Sequence, residues 1–187
     1  MTSLHDDFFT THLTDAPVMA IFRGLSPEAT VQRARDAWAT GARLVEVPVQ
    51  DEAGWAAFAA VRDAAGDRPV GVGTVLTADQ LRRAADAGAA FSVAPGLDLE
   101  LGALAAELGI AHLPGVGTGT EVGRALAAGH HWLKAFPASV LGAEWVRAMR
   151  GPFPDARFVC TGGMNFENWP TFRAAGAHAV AIGSGWA

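Results

Sequence analysis

Alanine-rich segments in this 187-residue chain end in glycine again and again, and a short apolar run follows each of these glycines. The glycines that mark the repeat are Gly41, Gly66, Gly88, Gly109, Gly129, Gly151 and Gly176. Subtracting neighbouring residue numbers gives spacings of 25, 22, 21, 20, 22 and 25 residues. A glycine just past a helix supplies the left-handed conformation that many helix ends adopt. Short apolar runs without polar alternation indicate strands that are buried on both faces, as in a parallel sheet.

This repeat predicts an α/β fold of the TIM (β/α)8 barrel type. With residues 18–22 as the first strand, the apolar runs number eight, and eight βα units of this length fit such a barrel. The helix starts agree, because Ser26 precedes Pro27 and residues 77–80 have the pattern of a capping box. We expect one barrel domain over residues 1–187, with a doubly wound open sheet as the alternative.

The two ends of the chain carry expectations of their own. The segment before the first strand predicts an N-terminal helix that plugs the bottom of the barrel. The eighth strand ends near Ile182 and the sequence ends at Ala187, so we expect the eighth helix to be missing from this chain. Apolar barrel surface is then expected to be exposed unless another subunit covers it.

Composition and charge exclude several classes of partner. The net charge is −5 and no basic block occurs, so nucleic acid is not an expected partner. The single cysteine, Cys160, lies in an apolar run, which predicts a buried thiol and a reducing compartment. Residues 1–14 carry two aspartates and no long apolar run, and no stretch is long enough to cross a bilayer. A soluble cytoplasmic protein without a membrane partner is expected.

Lys134 is the only lysine, and the other thirteen basic residues are all arginine. It lies in the apolar segment 132–136, which is the sixth predicted strand. An amine can lose its proton and attack a carbonyl carbon, whereas a guanidinium group stays charged. Burial among apolar neighbours favours the neutral amine, which is how a Schiff-base lysine is activated. The position of Lys134 therefore predicts a nucleophile.

Glu46 lies on the second predicted strand, in the segment Val45–Pro48. Side chains of one barrel layer come from alternate strands, so Glu46 and Lys134 are expected to point inward and face each other. A carboxylate in that place can move protons, directly or through a water. The alternative is that Glu46 only neutralises a buried Lys134 as an ion pair.

Further polar groups follow the strands at their carboxyl ends, where TIM barrels hold their active sites. Arg23 ends the first strand and can either grip a carboxylate or form a salt bridge at the rim. Thr74 can hydrogen-bond the same carboxylate or cap a turn. The glycine loops 161–163 and 183–185 follow the seventh and eighth strands, where such barrels often bind phosphate. The substrate is therefore expected to carry both a phosphate and a ketone.

The histidines do not predict a metal site. His130 and His131 are adjacent, and neighbouring residues on a strand point to opposite faces, which makes a poor chelate. His112 on the fifth strand is interpreted as a core histidine with satisfied hydrogen bonds. We expect neither a metal nor a cofactor.

Taken together, these residues resemble the 2-keto-3-deoxy-6-phosphogluconate aldolase family, which includes 6-phosphogalactonate and 4-hydroxy-2-oxoglutarate enzymes. The matching segments run in family order over nearly the whole chain. They are Ala20–Gly24, Val45–Pro48, Gly71–Leu76, Pro95–Gly96, Pro114–Gly115, Leu133–Pro137, Gly151–Pro154, Thr161–Gly163 and Ile182–Ser184. Single segments are weak, but the ordered set is highly specific.

The resemblance implies a metal-free class I aldolase, usually a homotrimer, that cleaves a 2-keto-3-deoxy-6-phospho-sugar acid to pyruvate and glyceraldehyde 3-phosphate. It implies Lys134 as the Schiff-base residue and Glu46 as the proton shuttle. Arg23 and Thr74 would hold the pyruvate carboxylate. The implied phosphate ligands are Gly162, Gly163, Gly183 and Ser184.

Two positions bear on the choice of sugar acid. Gln50 stands where many phosphogluconate enzymes carry an arginine, which resembles the phosphogalactonate branch. Thr161, at the end of the seventh strand, is the second predicted specificity residue. Two rival functions fit the same barrel, namely a phosphate-binding isomerase or synthase, and a non-catalytic protein that binds a sugar phosphate.

Overall fold

The computed structural model describes residues 4–186; residues 1–3 and 187, which the sequence analysis counted in the barrel domain, lie outside the described residues. Within that range nine strands form one parallel sheet. They are β1 (Val18–Ile21), β2 (Val45–Pro48), β3 (Val70–Gly73), β4 (Phe91–Val93), β5 (Ala111–Leu113), β6 (Gly115–Val116), β7 (Trp132–Ala135), β8 (Arg157–Thr161) and β9 (Ala179–Ile182). The helices are α1 (Leu4–Leu13), α2 (Pro27–Ala39), α3 (Glu52–Ala65), α4 (Ala78–Asp86), α5 (Leu99–Glu107), α6 (Gly119–Ala127), α7 (Ala138–Leu141), α8 (Ala143–Arg150) and α9 (Trp169–Ala175). None of these helices has both the length and the apolar character needed to cross a membrane.

The sheet closes into a barrel at Pro114. The strand order is β5-β4-β3-β2-β1-β9-β8-β7-β6, and one residue, Pro114, separates β5 from β6 in the chain. Proline has no N–H group to donate to a ladder, so the fifth predicted strand ends before Pro114. A ninth short strand beyond the eight predicted, β6, follows Pro114 and pairs with β7, whereas β5 pairs with β4. The Pro114 carbonyl still accepts a hydrogen bond from the Lys134 N–H at 2.8 Å. The predicted TIM barrel is confirmed, and the open-sheet alternative is wrong.

Helix boundaries follow most of the predicted signals. Ser26 caps α2 by accepting a hydrogen bond from Ala29 N, and both hydrogen bonds of the capping box of α4 are present. Six of the seven repeat glycines have φ between +62° and +104°. Gly151 is the exception, with φ −62° and ψ −62°, so the left-handed prediction is wrong there. Phe153 N donates to Met149 O at 3.1 Å, because the chain continues the helical turn past Gly151.

The hydrophobic core has two parts, which lie on the two faces of the barrel. One lies between the strands and the surrounding helices, where Cys160 is buried as predicted. The other fills the barrel interior with side chains from alternate strand positions. Its larger members are Met19, Leu44, Phe91, Leu113, Trp132 and Val159, joined by Phe9 and Leu13 of α1. The predicted N-terminal helix therefore plugs the amino-terminal end of the barrel.

Hydrogen bonds from polar side chains fix α1 to the first residues of β7 and β8. The Asp6 carboxylate accepts from the backbone N–H groups of His131 and Trp132 at 3.0 and 3.3 Å. The Thr10 hydroxyl oxygen accepts from the Trp132 indole at 3.0 Å and from the Arg157 guanidinium at 2.7 Å. Because Trp132 points into the barrel two residues before Lys134, these contacts hold the strand that carries the predicted nucleophile.

A group of buried histidines lies beside the same helix. The rings of His5 and His130 stack at 4.8 Å, and His5 Nδ1 accepts from His112 N at 3.1 Å. His112 Nδ1 lies 2.8 Å from Ser92 Oγ, but His112 Nε2 has no hydrogen-bond partner among the described residues. The prediction of a fully satisfied His112 is therefore wrong for one nitrogen, which is shut off from solvent beside the His130 ring. Burial lowers the pKa of all three imidazoles, to about 3 for His112 and about 4 for His130.

These histidines make stability depend on pH. An imidazole in the unfolded chain has a pKa of about 6.5, so below that pH the unfolded chain binds more protons than the folded chain. The free energy of unfolding should therefore fall as the pH is lowered from 6.5 toward 4, and urea titrations across that range measure it. His112→Asn, which keeps an acceptor for Ser92, should make the slope shallower by removing one buried imidazole. An unchanged slope in this variant would contradict the assignment.

Candidate active site

Lys134 lies inside the barrel on β7, with only 3% of its surface exposed. Its side chain alternates with the outward-facing Leu133 and Ala135, which pack against the helix layer. Nζ lies 5.1 Å from the centre of the Phe136 ring, which is on the same face of the chain two residues later. The amine is therefore shielded from bulk water at the carboxyl end of the strands.

Glu46 is fully buried on β2, and neither of its carboxyl oxygens has a hydrogen-bond partner among the described residues. Burial raises the pKa of Glu46 because the charged form loses its hydration, and the positive charges of Lys134 and Arg23 act in the opposite direction. The two predicted groups thus face each other in the barrel. Attraction between the two groups offsets part of the cost of burying them, and no hydrogen bond from the described residues holds the Glu46 oxygens.

Arg23 is exposed at the end of β1, and its guanidinium group donates hydrogen bonds to two neutral side chains. The acceptors are Gln50 Oε1 and Thr74 Oγ1, the latter at 3.2 Å. Among residues 4–186 no carboxylate forms a salt bridge with Arg23, so the rim salt bridge considered from the sequence is absent from this part of the chain. The guanidinium charge remains available for an anionic group of a ligand.

Thr74 follows β3 with φ +61°, a left-handed conformation that is strained for a β-branched residue. Its hydroxyl oxygen accepts a hydrogen bond from the Arg23 guanidinium group, so Arg23 and Thr74 meet at the barrel mouth. Strain of this kind costs on the order of 1–3 kcal/mol and persists where the surroundings enforce it.

A cavity of about 460 Å³ opens at the carboxyl end of the barrel. Most of the predicted site residues line it, together with four residues for which no role was predicted. The lining residues are Ile21, Arg23, Lys134, Phe136, Thr161, Gly162, Gly163, Met164, Ala181, Gly183 and Ser184. Gln50 lines a neighbouring cavity instead. Glu46 lies close enough to Lys134 and Arg23 for their charges to act on its carboxyl group, and Thr74 accepts a hydrogen bond from Arg23.

The loop after β8 requires glycine for both conformation and space. Gly162 and Gly163 have φ +93° and +69°. A Cβ atom at Gly162 would lie 3.1 Å from the Phe136 ring, and one at Gly163 would lie 2.2 Å from Ser139 Oγ. Asn168 Nδ2 donates to Gly163 O at 2.9 Å and holds the loop. The loop is thus packed against the segment that follows Lys134, so the predicted amine and the predicted phosphate loop adjoin one cavity.

Phe136 is the most informative residue that the sequence interpretation left without a role. Its ring lies beside Lys134 Nζ, contacts the space at Gly162 and lines the cavity. The spacing of two residues from Lys134 is the signal that places it on the same face. Within residues 4–186 no set of three His, Cys, Asp or Glu side chains is arranged to hold a metal ion.

Fold and site together define a (β/α)8 barrel with a buried amine opposite a buried carboxyl group at the carboxyl end of the strands. The family model for KDPG and KHG aldolases matches residues 9–187. A probable 2-dehydro-3-deoxy-6-phosphogalactonate aldolase of Rhizobium meliloti (strain 1021) is 36% identical over 172 residues, covering 91% of this chain and 81% of the relative. A 2-dehydro-3-deoxy-phosphogluconate aldolase of Treponema pallidum (strain Nichols) is 34% identical, covering 86% and 80%. The chain belongs to the KDPG and KHG aldolase family, and both of these relatives are named as aldolases.

A solved structure agrees with this assignment. The KDPG aldolase from Legionella pneumophila, with pyruvate captured at low pH as a covalent carbinolamine intermediate, superposes with a TM-score of 0.83 at 27% identity. The match covers 90% of this chain and 83% of that chain. The family resemblance stated from the sequence is therefore confirmed.

The conformation of Thr74 generates a stability prediction. Thr74→Gly should raise the free energy of unfolding by about 1 kcal/mol, because glycine adopts φ +61° without strain. Thr74→Ala serves as the control, because it also lacks the hydroxyl acceptor for Arg23 but keeps a Cβ atom on the strained backbone. Urea unfolding of the two variants measures the difference. A Thr74→Gly variant less stable than Thr74→Ala would show that the backbone there is not strained.

Proposed function

We propose that this chain is a metal-independent class I aldolase that cleaves a 2-keto-3-deoxy-6-phospho-sugar acid to pyruvate and glyceraldehyde 3-phosphate. The observation that carries the proposal is the buried Lys134 amine facing the buried Glu46 carboxyl group at the barrel mouth. Two relatives named for phosphogalactonate and phosphogluconate substrates support the substrate class. The carbinolamine in the Legionella relative supports the chemistry, because a carbinolamine is the adduct of an amine with a carbonyl carbon.

In the first step the neutral amine of Lys134 attacks the C2 ketone of the substrate. The carbinolamine that forms loses water to give an iminium ion, which is an electron sink beside the bond that must break. Phe136 adds a ring face near Nζ, where the cationic iminium forms.

Bond cleavage then requires a base at the C4 hydroxyl. Glu46, directly or through a water, removes that proton, and the C3–C4 bond breaks with its electrons moving into the iminium to give an enamine. The aldehyde leaves, the enamine takes a proton at C3, and hydrolysis frees pyruvate and Lys134. The carboxyl oxygens of Glu46 suit this role because no side chain of the described residues occupies them.

The cavity also fits a substrate with an anion at each end. Arg23 presents a guanidinium group without a carboxylate partner, and Thr74 lies within hydrogen-bond distance of it, so the pair would hold the substrate carboxylate. The loops that carry Gly162, Gly163, Gly183 and Ser184 line the same cavity and would hold the phosphate.

Gln50 and Thr161 are proposed to set the choice of sugar acid. Gln50 Oε1 accepts a hydrogen bond from Arg23. The resemblance to the phosphogalactonate branch, which lacks an arginine at this position, implies a substrate of that type. Thr161 is buried at the end of β8 and lines the cavity beside Lys134. The assembly proposed is a homotrimer, as the family resemblance implies.

Reductive trapping tests the nucleophile. Borohydride added in the presence of pyruvate should leave a stable adduct on Lys134, located by mass mapping of peptides. Lys134→Arg should lose both the adduct and turnover while keeping its fold, because a guanidinium cannot form the iminium. An adduct at another residue, or near-normal turnover by this variant, would rule out Lys134. An isomerase or a simple binding protein would give no adduct at all.

Replacing Glu46 tests the base. Glu46→Gln should lower kcat by about 10²–10⁴-fold with little change in KM, because it removes proton transfer and keeps the shape of the side chain. In the unsubstituted chain, kcat should fall with decreasing pH at a pH above the ordinary carboxyl pKa, since burial raises the pKa of Glu46 and the base must be ionised. The variant should lose that acidic limb. An unchanged kcat in Glu46→Gln would refute the role of Glu46.

A further inference from the structure

Strand β3 has the sequence Val70-Gly71-Val72-Gly73, with valine packed outward and glycine at both positions that face the barrel interior. Neither glycine has the positive φ that would demand glycine for conformational reasons. Glycine inside a strand weakens it, because the residue has no side chain to pack and loses more entropy on folding. The two glycines are therefore explained by what occupies the space beside them.

At Gly73 that space is filled by the Glu46 side chain. A Cβ atom built on Gly73 would lie 1.9 Å from Glu46 Oε1, 2.7 Å from Cδ and 2.9 Å from Cγ. Glu46 pairs in register with Gly71, and its side chain extends along the strand direction to reach the level of Gly73. The carboxyl group therefore lies in the volume that any other residue at position 73 would occupy.

The carboxyl group has no room to retreat deeper into the barrel. At the level below, a Cβ atom on Gly71 would lie 2.5 Å from the Phe91 ring, which fills that space. Phe91 is itself packed against Phe8 and Phe9 of α1, with ring centres 5.7 and 6.0 Å apart. We therefore expect a group displaced from beside Gly73 to move toward the open mouth, where water reaches it.

We propose that Gly73 is a positioning residue for the aldolase reaction: its missing side chain creates the niche that holds the Glu46 carboxyl group inside the barrel, opposite Lys134. This inference rests on the proposed function, because it takes the Glu46 carboxyl group as the base at the substrate C4 hydroxyl. It adds that the position of the base is set by the neighbouring strand and not by hydrogen bonds to Glu46, of which the described residues provide none.

Gly73→Ala is the direct test. The backbone of Gly73 accommodates alanine, so the added methyl group acts through space alone. Displacement of the base by about 1 Å should lower kcat by about 10²-fold. The acidic limb of the pH profile should move to lower pH, since the carboxyl group gains hydration near the mouth. The borohydride adduct of pyruvate on Lys134 should still form.

Gly71→Ala is the matched control, because it adds the same methyl group to the same strand but against the Phe91 ring. It should lower the free energy of unfolding while leaving the acidic limb of the pH profile in place. A general disturbance of β3 would instead give both variants the same profile, and that result would overturn the proposal.

A second variant makes the test independent of how well Gly73→Ala folds. Aspartate is one methylene shorter than glutamate, so Glu46→Asp leaves room for the methyl group at position 73. The double variant Glu46→Asp/Gly73→Ala should have a higher free energy of unfolding than the sum of the two single effects predicts. Its kcat should also exceed the value expected from multiplying the two single effects. Strictly additive effects in both measurements would overturn the proposal.

The outcomes separate the two levels of inference. If Glu46→Gln turns over normally, the proposed role of Glu46 fails, and with it the reason for a positioned carboxyl group. If Glu46→Gln is slow while Gly73→Ala keeps the natural kcat and pH profile, the aldolase mechanism stands and only the role of Gly73 fails.

Discussion

The rest of the structure depends on keeping one amine and one carboxyl group away from water in the same small volume. Moving an ionised side chain into an apolar interior costs several kcal/mol even after relaxation, and attraction between the two charges offsets this only when geometry is good. Lys134 and Glu46 are both buried, yet the Glu46 oxygens accept no hydrogen bond from the described residues. Packing of the surrounding side chains therefore holds the Glu46 carboxyl group in place, since no hydrogen bond from the described residues does so.

A closed barrel supplies that packing from every side. β2 and β7 lie on opposite sides of the barrel, and the interruption at Pro114 lets β5 pair with β4 while β6 pairs with β7. From below, α1 closes the barrel with apolar side chains and binds the start of β7 through Asp6 and Thr10. A helix at the amino-terminal end of the barrel therefore supports the strand that carries the amine.

The sequence carried enough information to place the strands and most of the site. The glycine spacing predicted the barrel because each βα unit repeats the same helix cap and the same buried strand. The lone lysine and the two glycine loops lie around one cavity, because the carboxyl ends of all the strands meet at one face of the barrel. The departures have local causes. Gly151 stays helical because the chain continues the turn of α8 as far as Phe153. Where three imidazole rings pack together, the Nε2 atom of His112 has no hydrogen-bond partner among the described residues.

The physical reason for a glycine can be read from its surroundings. Gly162 and Gly163 adopt left-handed φ values, and a repeat of loops after strands is enough to expect them. Gly73 has ordinary backbone angles, and its reason is a carboxyl group that comes from another strand, 27 residues earlier in the sequence (73 − 46). A contact of that kind depends on strand register and on the direction of one side chain. It therefore becomes visible only when β2 and β3 are placed side by side.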